Sequence, residues 1–250
     1  MTTVSRLPIA LQSARRVVLS GLVLVSICAC ATGPNVHPRD PLEPFNRGVF
    51  GFNDALDKAI FRPAATIYRD LTPTLVRTGV RNFLGNLDDV WSFVNSVLQA
   101  KGQNAADNFM RFNVNTVIGL GGILDVASEM GIERHREDFG QTLGRWGIST
   151  GPYLVLPLLG PSTLRDALAI PVDNWGNIVS HVNDVPVRNQ FYLLDRLETR
   201  AGLLSVSSTL DEAALDRYSF TRDVFLQRRS NSVFDGNPPD ESVGDKSIAR

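Results

Sequence analysis

Residues 117 to 124 read Val-Ile-Gly-Leu-Gly-Gly-Ile-Leu, an apolar stretch that glycines interrupt at Gly119, Gly121 and Gly122. Three glycines within four residues disfavour a helix by about 3 kcal/mol relative to alanine. The stretch therefore predicts a break or a hairpin between two helical arms. If the backbone moves at this break, the glycines form its hinge.

Amphipathic helices are predicted on both sides of the break, because apolar residues recur at steps of three and four. Asp40 is the predicted N-cap of the first helix, and Pro41 follows it at the first helical position. Thr72-Pro73 has the same pattern and predicts the start of another helix. Weaker helical patterns follow over 164–180, where Thr163 and Asp166 form a capping box, and over 187–204 and 211–229. No period-two alternation is sustained, so the fold is predicted to be all-α. The apolar stripes comprise Phe45, Val49, Phe52, Leu56 and Ile60, then Val76, Val80, Phe83, Leu84 and Leu87, then Val90, Val94, Val97 and Leu98, and finally Ala106, Phe109, Met110 and Val117.

A second apolar run, over 151–161, contains prolines that oppose both a regular helix and a central strand. The two broken runs are either buried core loops or the lining of a hydrophobic path for acyl chains, since non-helical backbone is tolerated where it lines a cavity. In the second hypothesis Leu120, Ile123 and Leu124 form an apolar wall. A possible second wall comprises Leu154, Leu156 and Leu158, and the tryptophans Trp91, Trp146 and Trp175 could lie at the headgroup level.

The N-terminus resembles a bacterial lipoprotein signal peptide. Arg15 and Arg16 precede an apolar core of about a dozen residues, which is shorter than the roughly 20 that a membrane-spanning helix needs. The sequence Ile27-Cys28-Ala29-Cys30 resembles a lipobox, and Cys30 is the predicted lipidation site. The predicted organisation is a signal peptide over 1–29, a lipidated tether over 30–39, a helical domain over 40–229 and a disordered tail over 230–250.

Composition and motifs argue against several classes of function. The 25 basic and 26 acidic residues nearly balance. Loss of the signal peptide removes three arginines but no acidic residue, which makes the net charge of the remaining chain more negative. Nucleic acid is therefore not a predicted partner. Both cysteines, Cys28 and Cys30, precede the folded part, which therefore has no predicted disulfide. The histidines lie far apart in sequence, and neither a Gly-x-Ser-x-Gly elbow nor a phosphate loop is present. No metal, no cofactor and no enzymatic activity are predicted.

Several ordered motifs carry a family resemblance over about residues 40 to 229. They are Asp-Pro-Leu-Glu-Pro-Phe-Asn-Arg over 40–47, Arg62-Pro63, Asn-Phe-Leu-Gly-Asn-Leu over 82–87, Arg-Phe-Asn-Val-Asn-Thr over 111–116 with the glycines that follow, Asp125-Val126-Ala127, Phe-Gly-Gln-Thr-Leu-Gly over 139–144, Gly-Pro-Tyr-Leu-Val-Leu-Pro over 151–157, Gly160-Pro161 and Leu164-Arg165-Asp166. In these motifs the chain resembles the MlaA (VacJ) family of outer-membrane lipoproteins. Residues 164–185 and the tail beyond Ser230 resemble the family least.

The resemblance implies a ring-like bundle of amphipathic helices that lies in the plane of the outer membrane's inner leaflet around an amphipathic channel. It also implies removal of misplaced phospholipid from the outer leaflet, transfer to a soluble periplasmic carrier that feeds an inner-membrane ABC-type complex, and association with a trimeric porin. The family's glycine-flanked hairpin beside the channel corresponds to 115–128. Two alternatives remain at this point, namely a structural lipoprotein that braces porins and a phospholipid hydrolase.

Overall fold

The computed structural model describes residues 37–207 and 214–239. The signal peptide, Cys30 and the end of the tail therefore lie outside the described residues. The described part is mostly helical, as the sequence predicted, and carries one two-stranded sheet. Its helices are α1 (Glu43–Leu56), α2 (Arg62–Leu71), α3 (Thr74–Leu98), α4 (Gly102–Val117), α5 (Val126–Glu129), α6 (Phe139–Arg145), α7 (Leu164–Gly176), α8 (Val185–Gly202) and α9 (Arg217–Val233).

The chain enters the fold through Asp40, whose role differs from the predicted helix cap. Helix α1 begins at Glu43, and Leu42 occupies its N-cap position without a side-chain cap. The Asp40 side chain is instead wholly buried and accepts hydrogen bonds from Asn46 at 2.8 Å and from the Tyr218 hydroxyl at 2.5 Å. Asp40 thus joins the start of the fold to its last helix. A π-helical segment, Asp57–Phe61, continues α1 into α2.

Helices α3 and α4 are the longest adjacent pair. Two separate stripes were predicted over 76–98, but the structure has one helix of 25 residues there. A short connection over 99–101 turns the chain into α4, and Ala100 adopts a positive φ of 57° within it. Consecutive helices joined by so short a loop pack side by side. Helix α4 ends at Val117, so the break predicted at the glycines is confirmed.

The second broken run forms a β-hairpin, which is compatible with the prediction that its prolines oppose a regular helix and a central strand. Strand β1 (Tyr153–Leu156) pairs antiparallel with β2 (Gly160–Thr163). Pro161 lies opposite Val155, and Pro157 begins the turn. A two-stranded sheet consists entirely of edge strands, where a missing N–H donor costs little. The prediction correctly excluded a central strand but did not consider a pair of edge strands.

The C-terminal half returns to helices. Thr163 caps α7 by accepting a hydrogen bond from the Asp166 amide, so this half of the predicted capping box is confirmed. The Asp166 carboxylate, which would complete the box, instead accepts hydrogen bonds from Arg229 and Arg165. Helix α7 ends at Gly176, and a 3₁₀ segment (Ile178–His181) leads towards α8. Helix α9 continues to Val233, which is buried. The prediction of disorder from Ser230 is therefore wrong for its first residues, and the ordered domain extends past 229.

Candidate functional site

The apolar stripes of the helices face outwards. Leu71 and Leu75, on either side of the α2–α3 junction, are 79% and 87% exposed, and Ile67 is 58% exposed. Of the nine apolar residues predicted as stripes on α3, Leu84 alone is fully buried. Amphipathic helices in a water-soluble protein turn such stripes towards the core. Here the stripes were predicted correctly, and they face outwards, which is the reverse of the arrangement in a water-soluble protein.

Polar side chains occupy the interior instead. They recur at helical spacing on the inner faces of α3 and α4, and most have less than a twentieth of their surface exposed. Among the described residues, buried polar and charged side chains outnumber buried apolar ones, which is the opposite of a soluble core. The polar interior comprises Asn86, Asp89, Ser92, Asn95 and Ser96 of α3, Gln99 at the C-cap of that helix, and Asn108, Arg111 and Asn115 of α4.

Hydrogen bonds hold this polar interior together. The Thr142 hydroxyl of α6 donates to Asn95 Oδ1 at 2.8 Å, and Gln99 Nε2 donates to the Glu137 carboxylate at 3.0 Å. Asn108 Nδ2 donates to the carbonyl oxygen of His135 at 2.8 Å. Buried polar groups without such partners would each cost about 1–3 kcal/mol. The segment that precedes α6 is thereby fixed against α3 and α4.

A cavity of about 670 Å³ lies among α3, the segment before α6, the β-hairpin and helices α7 to α9. Its volume falls within the range of about 300–1,000 Å³ that is usual for ligand sites. The lining is amphipathic. Its apolar residues are Leu87, Leu156, Leu159, Ile170 and Phe225, and its charged residues are Asp88, Arg136, Glu137, Asp138, Asp166, Asp173, Arg196, Arg228 and Arg229.

Arg229 neutralises two carboxylates of the cavity wall. Its guanidinium donates to Asp138 at 2.6 Å through two nitrogens and to Asp166 at 2.8 and 2.9 Å. Burial alone would raise the pKa of Asp138, but the hydrogen bonds from Arg229 hold that pKa below its usual range. Both carboxylates are therefore paired with Arg229. They also tie α9 to the starts of α6 and α7.

Asp88 is a carboxylate of the wall that makes no hydrogen bond or salt bridge within the described ranges. Its side chain is exposed towards the cavity, and protein atoms surround it on the other sides. This burial, together with the neighbouring charge of Asp195, raises the pKa of Asp88 to about 6, and Arg136 partly opposes the rise. An unpaired carboxylate in such surroundings favours a cationic ligand group.

The glycine turn, residues 118–125, is fastened to α3 and α4. The Gly122 amide donates to the Asn115 carbonyl at 2.8 Å, and Asn82 Nδ2 donates to the Ile123 carbonyl at 3.1 Å. A Cβ on Gly122 would lie 2.6 Å from Asn86 Nδ2, whereas a Cβ on Gly121 would meet nothing within 4 Å. Gly119 and Gly122 thus permit close packing, and Gly121 lies in open space.

Arg111 fastens the far end of the same turn. It lies buried on α4 and donates to Asp125 at 2.7 Å and to the Ser128 hydroxyl at 3.1 Å. Asn115 adds a hydrogen bond to Asp125 at 3.1 Å and accepts one from the Ala127 amide at 2.9 Å. Both ends of the turn are therefore held, and between them the Gly121 amide donates to the Thr116 carbonyl at 3.0 Å.

The predicted wall residues do not all meet at the cavity. Leu156 lines it, whereas Leu154 and Leu158 do not. Leu120, Ile123 and Leu124 point outwards, with 68%, 48% and 49% of their surface exposed. They do not line this cavity either, so the structure separates an apolar outer edge at the glycine turn from the cavity itself.

The tryptophans also occupy different surroundings. Trp91 lines the cavity and donates its indole N–H to Asp173 at 2.8 Å. Trp146 and Trp175 are 53% and 70% exposed. Their position relative to lipid headgroups stays a prediction.

Sequence reasoning missed the polar interior and the charged cavity wall. A signal existed for the interior, because Asn86, Asp89, Ser92, Asn95 and Gln99 recur at steps of three and four opposite the apolar stripe. The arginines of the wall come from α8, α9 and the segment before α6, which are distant in sequence. No local pattern identifies them.

Helices with a polar interior and an apolar exterior define a class of protein built for contact with lipid. Within the described residues no helix is both long enough and apolar enough to cross a bilayer. The model of the MlaA lipoprotein family matches residues 38–232. The chain therefore belongs to the MlaA lipoprotein family.

Individual relatives agree with this assignment. The intermembrane phospholipid transport system lipoprotein MlaA of Escherichia coli is 36% identical over 212 residues, which are 83% of this chain and 84% of the relative. The protein of the same name from Haemophilus influenzae is 34% identical over 229 residues, with coverage of 86% and 89%. A solved structure concerning the structural basis for maintenance of bacterial outer membrane lipid asymmetry is 36% identical. It has a TM-score of 0.69 and covers 79% of this chain and 99% of that one.

Proposed function

We propose that this protein removes mislocalised phospholipids from the outer leaflet of the outer membrane through an amphipathic channel and passes them to a periplasmic carrier. In this proposal the protein is not an enzyme, and it maintains the lipid asymmetry of the outer membrane. The carrier feeds an inner-membrane ABC-type complex, and a trimeric porin holds the protein in place. The observation that carries the proposal is the amphipathic cavity within a helical body whose polar residues face inwards.

The distribution of side chains supports the proposed membrane placement. Exposed residues such as Leu71, Leu75 and Leu168 would cost free energy in water but are compatible with acyl chains. None of the described helices is suited to cross the bilayer, so the helices would lie in the membrane plane as a ring. Acyl chains on Cys30 would supply the first tether, because two or more chains give stable anchorage.

The transport step needs no covalent chemistry. A phospholipid that crosses a bilayer unaided must bring its charged headgroup through hydrocarbon, which is very costly. The polar wall of the cavity offers the headgroup hydrogen bonds and charges, while Leu156, Leu159 and Phe225 offer the tails an apolar surface. The conduit is passive, and the downstream carrier determines the direction.

Mass spectrometry of lipid that co-purifies with the full-length protein from outer membranes tests the proposal. Intact diacyl lipid supports transport. Lyso-lipid would indicate a hydrolase, and absence of lipid would indicate a protein that merely braces porins. These three outcomes separate the proposal from both alternatives.

A matched pair of variants on α7 makes the test specific to the cavity. Ile170 lines the cavity, whereas Leu168 on the same helix is 70% exposed. Ile170→Trp should fill the cavity and lower the amount of bound lipid, while Leu168→Trp should leave it unchanged. Equal lipid content in the two correctly folded variants would contradict the cavity as the lipid path.

A separate experiment tests the anchoring. A Cys30→Ala protein, exported by a substitute signal, should still fractionate with the outer membrane if the apolar exterior of the helices provides the lasting attachment. Complete recovery in the soluble periplasmic fraction would assign the attachment to the acyl chains instead.

A further inference from the structure

Three arginines of the cavity wall are available to a ligand. Arg136 precedes α6, Arg196 lies on α8 and Arg228 lies on α9, so three separate parts of the chain bring them to one cavity. Within residues 37–207 and 214–239, none of the three guanidinium groups makes a hydrogen bond or salt bridge. Guanidinium groups bind phosphate oxygens through paired N–H donors, which makes arginine the preferred residue for such anions.

Most carboxylates of the same wall cannot neutralise these arginines, because they already have partners. Arg229 holds Asp138 and Asp166, as described above. Glu137 pairs with the buried Lys101 at 2.9 Å. Asp173 accepts hydrogen bonds at 2.8 Å from the Trp91 indole N–H and from the Phe139 backbone amide.

Asp88 provides the complementary charge. It lines the cavity without a hydrogen-bond partner, and the charge of Arg136 acts on it. The wall therefore offers unpaired cations together with one unpaired carboxylate. A ligand that carries a phosphate beside an ammonium group would satisfy both, whereas a purely anionic headgroup would leave Asp88 unsatisfied.

Building on the proposed function, we propose that the cavity is a headgroup site for zwitterionic aminophospholipids. Arg136, Arg196 and Arg228 bind the phosphate diester, and Asp88 accepts hydrogen bonds from the ammonium group. The acyl chains leave along the apolar part of the wall, at Leu156 and Phe225. The site thus favours an ethanolamine-type headgroup over a glycerol-type headgroup.

The test uses the purified full-length protein with vesicles of equal parts phosphatidylethanolamine and phosphatidylglycerol. After incubation the protein is repurified, and each lipid is quantified per protein by mass spectrometry. The double variant Arg196→Gln/Arg228→Gln should retain at least about tenfold less of both lipids, because two of the three guanidinium groups proposed to bind the phosphate lose their charge-assisted hydrogen bonds. Arg188→Gln is the matched control on α8, since Arg188 does not line the cavity.

Asp88→Asn tests the ammonium contact. The ratio of retained phosphatidylethanolamine to phosphatidylglycerol should fall about fivefold, because the amide cannot pair with an ammonium charge. An unchanged ratio would overturn the proposal. Inorganic phosphate replaces the vesicles in a further arm, and its retention at the level of the lipid would overturn the assignment to a lipid headgroup.

The outcomes separate this inference from the proposed function. If the wild-type protein retains no intact lipid, the proposed function fails. If it retains lipid but the arginine double variant retains the same amount, the headgroup site alone fails. Thermal melting confirms that each variant is folded, and an Arg196→Lys/Arg228→Lys protein, which keeps the charge, should recover part of the binding.

Discussion

Replacement of Gly122 by alanine probes how tightly the glycine turn is packed. Gly122 has a φ of +95°, and a Cβ there would lie 2.6 Å from Asn86 Nδ2 and 2.7 Å from Asn86 Cβ. The left-handed backbone costs a residue with a Cβ about 1–2 kcal/mol. Overpacking against Asn86 adds about 1–3 kcal/mol. The free energy of unfolding should therefore fall by about 2–5 kcal/mol in total.

Gly121→Ala is the matched control. Gly121 also has a positive φ, of +72°, but its Cβ would meet nothing within 4 Å. Gly121→Ala should therefore lower the free energy of unfolding only by the cost of a left-handed backbone, about 1–2 kcal/mol. Thermal melting in detergent measures both variants, and a domain of this size loses about 2–4 °C of Tm per kcal/mol. We expect Tm to fall by about 4–20 °C for Gly122→Ala and by about 2–8 °C for Gly121→Ala.

A double variant identifies the contact responsible. Asn86→Gly removes all three atoms that a Cβ on Gly122 would strike, namely Nδ2, Cβ and Cγ of Asn86, whereas Asn86→Ala would keep Cβ. Combined with Asn86→Gly, Gly122→Ala should cost at least about 1 kcal/mol less than in the wild-type background. Equal losses of Tm for Gly121→Ala and Gly122→Ala, or strict additivity in the double variant, would refute the packing argument.

The same pair of variants sharpens the hinge hypothesis. A protein that carries both Gly121→Ala and Gly122→Ala would not distinguish an effect of lost packing from an effect of lost mobility. If the turn moves during transport, Gly121→Ala alone should alter surface phospholipid and the sensitivity of the outer membrane to detergent, with only a small loss of stability. Normal detergent sensitivity in that variant would remove the hinge role.

Three further predictions concern the cavity and its borders. Arg229→Met leaves the Asp138 and Asp166 carboxylates without their shared cation and should lower the unfolding free energy by about 3–5 kcal/mol, measured by denaturant titration; a loss below about 1 kcal/mol would contradict the pairing. Because the pKa of Asp88 is raised to about 6 on folding, its ionisation destabilises the fold above that pH and has no effect below about pH 4. Asp88→Asn should therefore raise Tm at pH 7.5 but not at pH 3.5, and an equal rise at both values would contradict the shift. Thr163→Ala removes the cap of α7 and should cost about 1 kcal/mol, and a melting curve identical to that of the wild type would exclude the cap.

The sequence predicted elements better than it predicted their orientation. Capping at Thr163 and the break after Val117 depend on residues within a few positions, and both are present. An apolar stripe, by contrast, has the same sequence pattern whether it faces a protein core or a lipid. Asp40 shows a further limit, because its partner Tyr218 lies 178 residues away and leaves no local signal.

The polar interior also explains how the fold can hold together without a large apolar core. Helices whose outer surfaces contact acyl chains gain little from the hydrophobic effect, so packing and hydrogen bonds between them must supply the stability. The asparagines of α3 and α4 provide such bonds, and Arg111 and Arg229 join segments that are distant in the chain. Nearly every carboxylate on the cavity wall is used in this way. Asp88, Arg136, Arg196 and Arg228 form no such bonds with the other residues that the structure describes, and this is the physical reason for assigning them to a ligand.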